Sequence, residues 1–108
     1  MKKIEAIIQP EEVQAAKEHL ADVGINSVTV TDVRSFGPSG GRTLVYRGVR
    51  FDAPYVVEAK LETVVADETA DKAVAILRKV AKADTEGQAR VVVLSLDDAR
   101  GLRSVAAV

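Results

Sequence analysis

Three arginines, Arg42, Arg47 and Arg50, fall within the stretch from Gly37 to Pro54 against a single acid, Asp52, with Tyr46 and Phe51 spaced among them. Guanidinium forks stay charged and bind phosphate or carboxylate bidentately. Beside backbone N–H groups freed by Gly37, Gly40, Gly41 and Gly48, they suit capture of an anion or contact with a partner protein. The same residues suit a mobile, solvated loop, and no P-loop or dinucleotide fingerprint decides between the two. The stretch exceeds the roughly 12–15 residues beyond which a connection in a compact domain is usually functional or disordered. Its aromatics set it apart from a flexible linker of Gly and Ser.

Other chemistry-bearing residues are sparse. His19 is the only histidine, and one titratable group without a partner reads as a surface histidine. Glu58 and Glu62, with Lys60 between them, project from one face of a strand. They could form a metal or acid–base pair, but a charged ladder on an exposed or inter-subunit sheet face is the simpler reading. Asp97 and Asp98 could hold a cation, or Asp97 could cap a final helical turn through Ala99 and Arg100. There is no cysteine, hence no disulfide, thiolate metal site or thiol nucleophile. No nucleophile–base pair or metal cluster supports an enzyme such as a slow ATPase, and no metal or tightly bound cofactor is expected.

The elements that must position these residues follow from periodicity. Lys2 to Gln9 alternates as a strand, with Ile4, Ala6 and Ile8 on one face and Lys3, Glu5 and Ile7 on the other. Pro10 closes it and suits a helix start; Glu11 and Glu12 follow at the positive end of the helix dipole. Val13, Ala16, Leu20 and Val23 recur at helical spacing up to Gly24, the expected C′ residue. Ile25 to Phe36 is β-branched and reads as the second strand. Val57, Ala59, Leu61, Thr63 and Val65 alternate with Glu58, Lys60 and Glu62 in a third. Asp67 is the expected N-cap of a second helix whose buried stripe is Val74, Leu77, Val80 and Ala81, with Arg78, Lys79 and Lys82 near its end. Ala83 to Ala89 is a polar loop, and Arg90 to Leu96 the last strand.

The order β-α-β-β-α-β with right-handed crossovers predicts an α+β, ferredoxin-like domain over residues 1–108: a four-stranded antiparallel sheet with both helices on one face and a long connection between its second and third strands. Val91, Val92, Val93, Leu94 and Leu96 make the last strand apolar on both faces. Since the helices cover one face only, a second subunit packed sheet to sheet is expected on the other. With 47% hydrophobic but only 4% aromatic residues, the core must be built from Val, Ala, Leu and Ile. A formal net charge of -1 argues against nucleic acid or an anionic membrane as partner. No signal-like or membrane-length apolar run is visible, so a cytoplasmic location without membrane insertion is expected.

Several segments resemble the PII signal-transduction family. They are Met1-Lys2-Lys3-Ile4-Glu5-Ala6-Ile7-Ile8 followed by Pro10, Gly24-Ile25 leading to Thr29-Val30-Thr31-Asp32-Val33 and Phe36-Gly37, Tyr46-Arg47-Gly48, and Ala59-Lys60-Leu61-Glu62 followed by Val64-Val65. The resemblance spans nearly the whole chain. It implies a compact homotrimer of ferredoxin-like subunits that binds adenine nucleotides in inter-subunit clefts. It also implies that the Gly37–Pro54 stretch is the family's T-loop, which engages a transporter or a metabolic enzyme through Arg42, Tyr46, Arg47 and Arg50. Carried over by position, Ile7, Thr29, Glu62 and Val64 would hold the adenine, and Phe36, Gly37 and Ser39 would line the cleft. Gly87, Arg90 and a neighbouring subunit's Arg103 would meet the phosphates.

The departures from that pattern shape the expected ligand. The family's phosphate loop ends in Gly-Asp-Gly-Lys, whereas Ala83-Asp84-Thr85-Glu86-Gly87-Gln88-Ala89-Arg90 stands here. Glu58 and Ser39 replace the usual lysine and glutamine, Gly101 replaces an arginine, and Phe51 replaces a modifiable tyrosine. These losses argue against 2-oxoglutarate sensing and uridylylation, and they lead to the expectation that ADP or AMP is bound at least as well as ATP. They place the chain beside divergent PII-like proteins, among them carboxysome-associated forms that respond to bicarbonate, a further candidate ligand. The rival reading is a trimeric interaction module that has lost ligand sensing and docks a membrane or shell protein.

Overall fold

Alternation of apolar and charged residues makes Lys2–Ile8 the first strand, β1. In the computed structural model, which describes residues 1–36, 43–52, 55–81 and 90–102, it leads into a 3-10 turn at Pro10–Glu12 and helix α1, Val13–Asp22. The Gln9 N–H donates to Glu12 Oε1 at 2.9 Å and the Glu12 N–H to the Gln9 carbonyl at 2.9 Å, which ties down the start of the turn. Gly24 ends α1 as expected. At φ 87 it lets its own N–H reach the Ala21 carbonyl and the Ile25 N–H reach the Leu20 carbonyl, both at 3.0 Å, a Schellman closure.

Because Ile25 is used in that closure, strand β2 starts later than expected and spans Thr29–Ser35. Beyond it lies a feature that the alternation did not reveal. Thr43–Tyr46 (β3) and Val49–Asp52 (β4) pair antiparallel as a separate two-stranded sheet, with Tyr46 opposite Val49. Arg47 (φ 52) and Gly48 (φ 77) form the two-residue turn, and positive φ at both positions is the type I′ pattern. Strand β5 (Val56–Val65), helix α2 (Asp67–Val80) and strand β6 (Arg90–Ser95) complete the described elements.

The main sheet has the order β2-β5-β1-β6, antiparallel throughout. Ile4, Ala6 and Ile8 of β1 and Ala59, Leu61 and Val65 of β5 pack with Ala16 and Leu20 of α1 and Ala70, Ala73 and Leu77 of α2. Both helices therefore share one face, the ferredoxin-like arrangement that the element order predicts. The buried stripe of α2 rests on alanines as well as Leu77, while Val74, Val80 and Ala81 are only partly buried, because small side chains let the helix lie close to the sheet.

Three local expectations are corrected. Ala66, not Asp67, is the N-cap of α2. Asp67 is the first helical residue, and its carboxylate lies 2.8 Å from the N-terminal ammonium. Among the described residues after β6 no helical turn forms, so Asp97 caps none; the neighbouring Asp98 takes the Arg100 guanidinium at 2.8 Å. Val57 keeps its alternation but is 51% exposed, since the helices reach only as far as Ala59. Among the described residues, no helix is long and apolar enough to cross a membrane.

Candidate functional site

The face of the sheet that carries no helix is set by register. Opposite Glu62 of β5 stand Thr29 of β2 and Glu5 of β1; opposite Lys60 stand Thr31 and Ile7; opposite Glu58 stands Val33. On β6, Arg90 is paired with Ile7, Val92 with Glu5 and Leu94 with Lys3. Ile7, Thr29, Glu62, Val64 and Arg90, read from the sequence as nucleotide-binding, all belong to this one face.

Its centre is a closed ring of four charges. Glu5 and Glu62 stand directly opposite each other, a like-charge pair that alone would destabilise the sheet. Lys3 Nζ bridges them from one side, 3.0 Å from Glu5 and 3.1 Å from Glu62. Lys60 Nζ bridges them from the other, 3.2 Å from Glu62 and 4.0 Å from Glu5. Hydrogen bonds from Lys3 and Lys60 hold the Glu62 carboxyl below its ordinary range, and those to Glu5 and Glu62 raise the Lys3 ammonium. The charged-ladder reading of this face therefore describes Glu62.

The ring separates two hollows. β5 runs on past the point where β2 begins, so Thr63 to Val65 have no β2 neighbour and a notch of about 650 Å³ opens there. Thr29, Glu62 and Val64 line it, together with Lys3 from the ring. The second hollow, about 220 Å³, is lined by Ile7, Arg90, Val33 and Ser35, together with Glu5 and Lys60 from the ring. The predicted nucleotide-binding residues thus fall into two groups. Thr29, Glu62 and Val64 come together; Ile7 and Arg90 come together elsewhere. Along β5 the register positions of Ile7 and Val64 are about 13 Å apart.

Phe36, just past β2, is 61% exposed and rests on Tyr55 with ring centroids 5.6 Å apart, while the Arg34 guanidinium lies 5.0 Å over the Tyr55 ring. This cluster joins the two roots of the long connection. Arg47 occupies the exposed tip of the β3–β4 hairpin, Tyr46 ends β3, and Arg50 pairs with Val45 across the hairpin. Gly37, Ser39, Arg42, Gly87 and Arg103 lie outside the described residues.

Sequence reasoning passed over Lys3, Glu5, Arg34 and Tyr55. The alternation of β1 already placed Lys3 and Glu5 on the face of Ile7, which was the available signal. Glu58 is 1% exposed, so it is no member of an exposed ladder. His19 is exposed on α1, 3.9 Å from Asp22. Among the described residues, no three His, Cys, Asp or Glu side chains gather as a metal site.

Comparison with known proteins decides the family. The family described as Nitrogen regulatory protein P-II matches residues 1–105. The chain belongs to the P-II family. Relatives named Nitrogen regulatory protein P-II include one from Pasteurella multocida, 38% identical over 97 residues that cover 90% of this chain and 87% of the relative. Another, from Haemophilus influenzae, is 36% identical over 104 residues covering 96% and 93%. A third, from Rhizobium meliloti, is 35% identical over the same share of each chain, 96% and 93%. P-II proteins are regulatory signalling proteins, not enzymes, and this P-II chain carries its candidate ligand residues on the helix-free face.

Proposed function

We propose that this P-II chain is a homotrimeric signalling protein that binds adenine nucleotides in clefts between subunits. Its ligands are ADP and AMP, bound at least as well as ATP, with bicarbonate as a further small anion. It acts in the cytoplasm on a transporter or metabolic enzyme, which the β3–β4 hairpin and the rest of the Gly37–Pro54 connection contact. The nucleotide favours one arrangement of that connection over another, and the partner responds to the shift in populations.

One observation carries this reading. The candidate residues share a face yet form two half-sites on either side of the ring of Lys3, Glu5, Lys60 and Glu62. A ligand that uses both half-sites meets them most simply where the face of one copy abuts the next. Leu94, on the same face and 42% exposed, gains apolar cover in such an assembly. Lys60 and Arg90 beside a hollow of about 220 Å³ support a compact anion there.

Sedimentation combined with isothermal titration of AMP, ADP and ATP tests the reading. A trimer that binds at least one of them is expected. A lone subunit in dilute solution, or no heat from any of the three at millimolar concentration, rejects it.

A further inference from the structure

We propose that the groove between α1 and α2 is a docking site for a short basic amphipathic helix of a partner protein. Among the described residues no strand contributes to its lining, so it lies apart from the helix-free face and stays open in the assembly proposed above. Ala15 and Val23, from α1 and its end, and Ile76 and Val80 from α2 give it a half-buried apolar floor, and its volume is about 530 Å³. Along α1 the lining residues Ala15, His19 and Asp22 lie on one stripe of the helix, with Glu11 in the turn before it. From Glu12 to Asp22 the stripe runs roughly 15 Å at 1.5 Å per residue, a length that matches two to three turns of a partner helix better than a compact ligand. Ridges of a third helix fill a furrow between two others, and a small residue such as Ala15 lets its backbone come close. The backbone groups of α1 and α2 serve their own helices, so an extended segment finds no sheet edge to pair with there.

The rim decides the charge of the partner. Glu11 and Asp22 are exposed at the two ends of the stripe, and Lys79 is the only Lys or Arg of the lining among the described residues. Glu12 is a third acid, but it is buried and accepts the Gln9 N–H at 2.9 Å. His19 stands beside Asp22, 3.9 Å away. Lys79 has a local reason for its place, because the last turn of α2 favours a cation. Asp22 has none, since it ends α1, where the helix dipole disfavours an acid. An apolar strip between two exposed carboxylates suits a helix with apolar residues on one face and lysine or arginine at both ends. The same carboxylates repel an acidic helix or an anionic membrane surface.

The test is NMR of the full chain titrated with a synthetic helical peptide of alanine, leucine and lysine, its leucines on one face and its lysines at both ends. Saturable shifts centred on Ala15, Val23, Ile76 and Val80 are expected. Ala15→Leu fills the floor with a good helix former and is expected to weaken binding on the order of tenfold. Asp22→Lys suits the end of α1, so the fold is kept. It is expected to weaken the lysine peptide severalfold and to strengthen one with glutamates in place of the lysines. Absence of shifts at those four residues with millimolar peptide, or equal affinity of wild type and Ala15→Leu, overturns the groove as the site. Equal binding of the lysine and glutamate peptides to wild type overturns the basic partner. Shifts at the same residues on raising protein concentration alone assign the groove to a second copy and overturn the proposal. The result does not depend on nucleotide binding, because none of the candidate nucleotide residues lines the groove.

Discussion

Replacing Gly48 by alanine separates the backbone cost of the hairpin turn from any packing cost. Gly48 sits at φ 77, and a Cβ built there meets no atom within 4 Å. The change is therefore purely conformational, and forcing an L-residue into the left-handed region costs roughly 1–2 kcal/mol. Arg47 beside it already holds φ 52 with a side chain, so the turn carries part of such a cost in the native protein. A two-stranded ribbon has little stability in reserve, and 1–2 kcal/mol changes a population roughly 5–30-fold. Gly48→Ala should thus melt β3–β4 while the β2-β5-β1-β6 sheet stays intact. Amide NMR reads this directly: the cross-strand contacts between Val45 and Arg50, and between Tyr46 and Val49, should vanish without a change in the urea midpoint. Arg47→Asn should do the opposite, because Asn-Gly is the pair that a type I′ turn favours most. Intact cross-strand contacts in Gly48→Ala, or their loss in both variants, would refute the assignment of the turn.

Two further outcomes follow from the core and from the ring. Leu77 is fully buried where α2 meets the sheet, so Leu77→Ala should cost about 2–5 kcal/mol, read as a lower urea midpoint at matched protein concentration. The ring makes stability depend on pH at both ends. The Glu62 pKa is depressed by Lys3 and Lys60, so its contribution is present above the ordinary carboxylate range and is lost as pH falls through the depressed value. The Lys3 pKa is raised by Glu5 and Glu62, so its contribution is present below the ordinary lysine range and is lost as pH climbs through the raised value. Glu62→Gln should flatten the acid limb of a plot of melting temperature against pH and shift the alkaline limb downward. A profile identical to wild type would show that the ring contributes nothing in solution.

The main sheet and both helices are legible in the sequence because each element has one strong period. β1 alternates cleanly, α1 ends at a glycine that must go left-handed, and the apolar positions of β5 from Ala59 to Val65 face the helices. Alternation, however, assigns a face and not a cover. It could not show that Val57 lies beyond the reach of the helices or that Glu58 is buried on the other side. The β3–β4 hairpin was hidden because the glycines and prolines before Thr43 and after Asp52 made the whole connection read as loop, and an Arg-Gly turn is a weak signal beside Asn-Gly. Asp67 and Asp97 were both read as caps from residue type alone. For Asp67 a cation nearby, the N-terminal ammonium, takes the carboxylate; Asp97 lies in a bend that does not continue as a helix. The ring was legible only in halves: Lys3 and Glu5 from one strand, Lys60 and Glu62 from another. Only the register that sets Glu5 against Glu62 joins them.

That register also bears on how a ligand could reach the hairpin. Ser35 lines the smaller hollow and is the last residue of β2; the next residue, Phe36, packs on Tyr55, which immediately precedes β5. Both roots of the Gly37–Pro54 connection therefore lie within a residue or two of the hollow's wall and touch each other through one ring contact. A ligand that moves β2 at Ser35 must either carry Tyr55 with it or break the Phe36–Tyr55 contact, and the two cases leave the connection with different anchor geometry. An exposed contact between two rings is weak enough to give way, since aromatic pairs contribute about 0.5–1.5 kcal/mol beyond their buried area. A bound nucleotide need favour one anchor geometry by little more than that to shift the connection. The cluster of Arg34, Phe36 and Tyr55 is therefore where ligand occupancy and hairpin position are physically joined in the proposed mechanism.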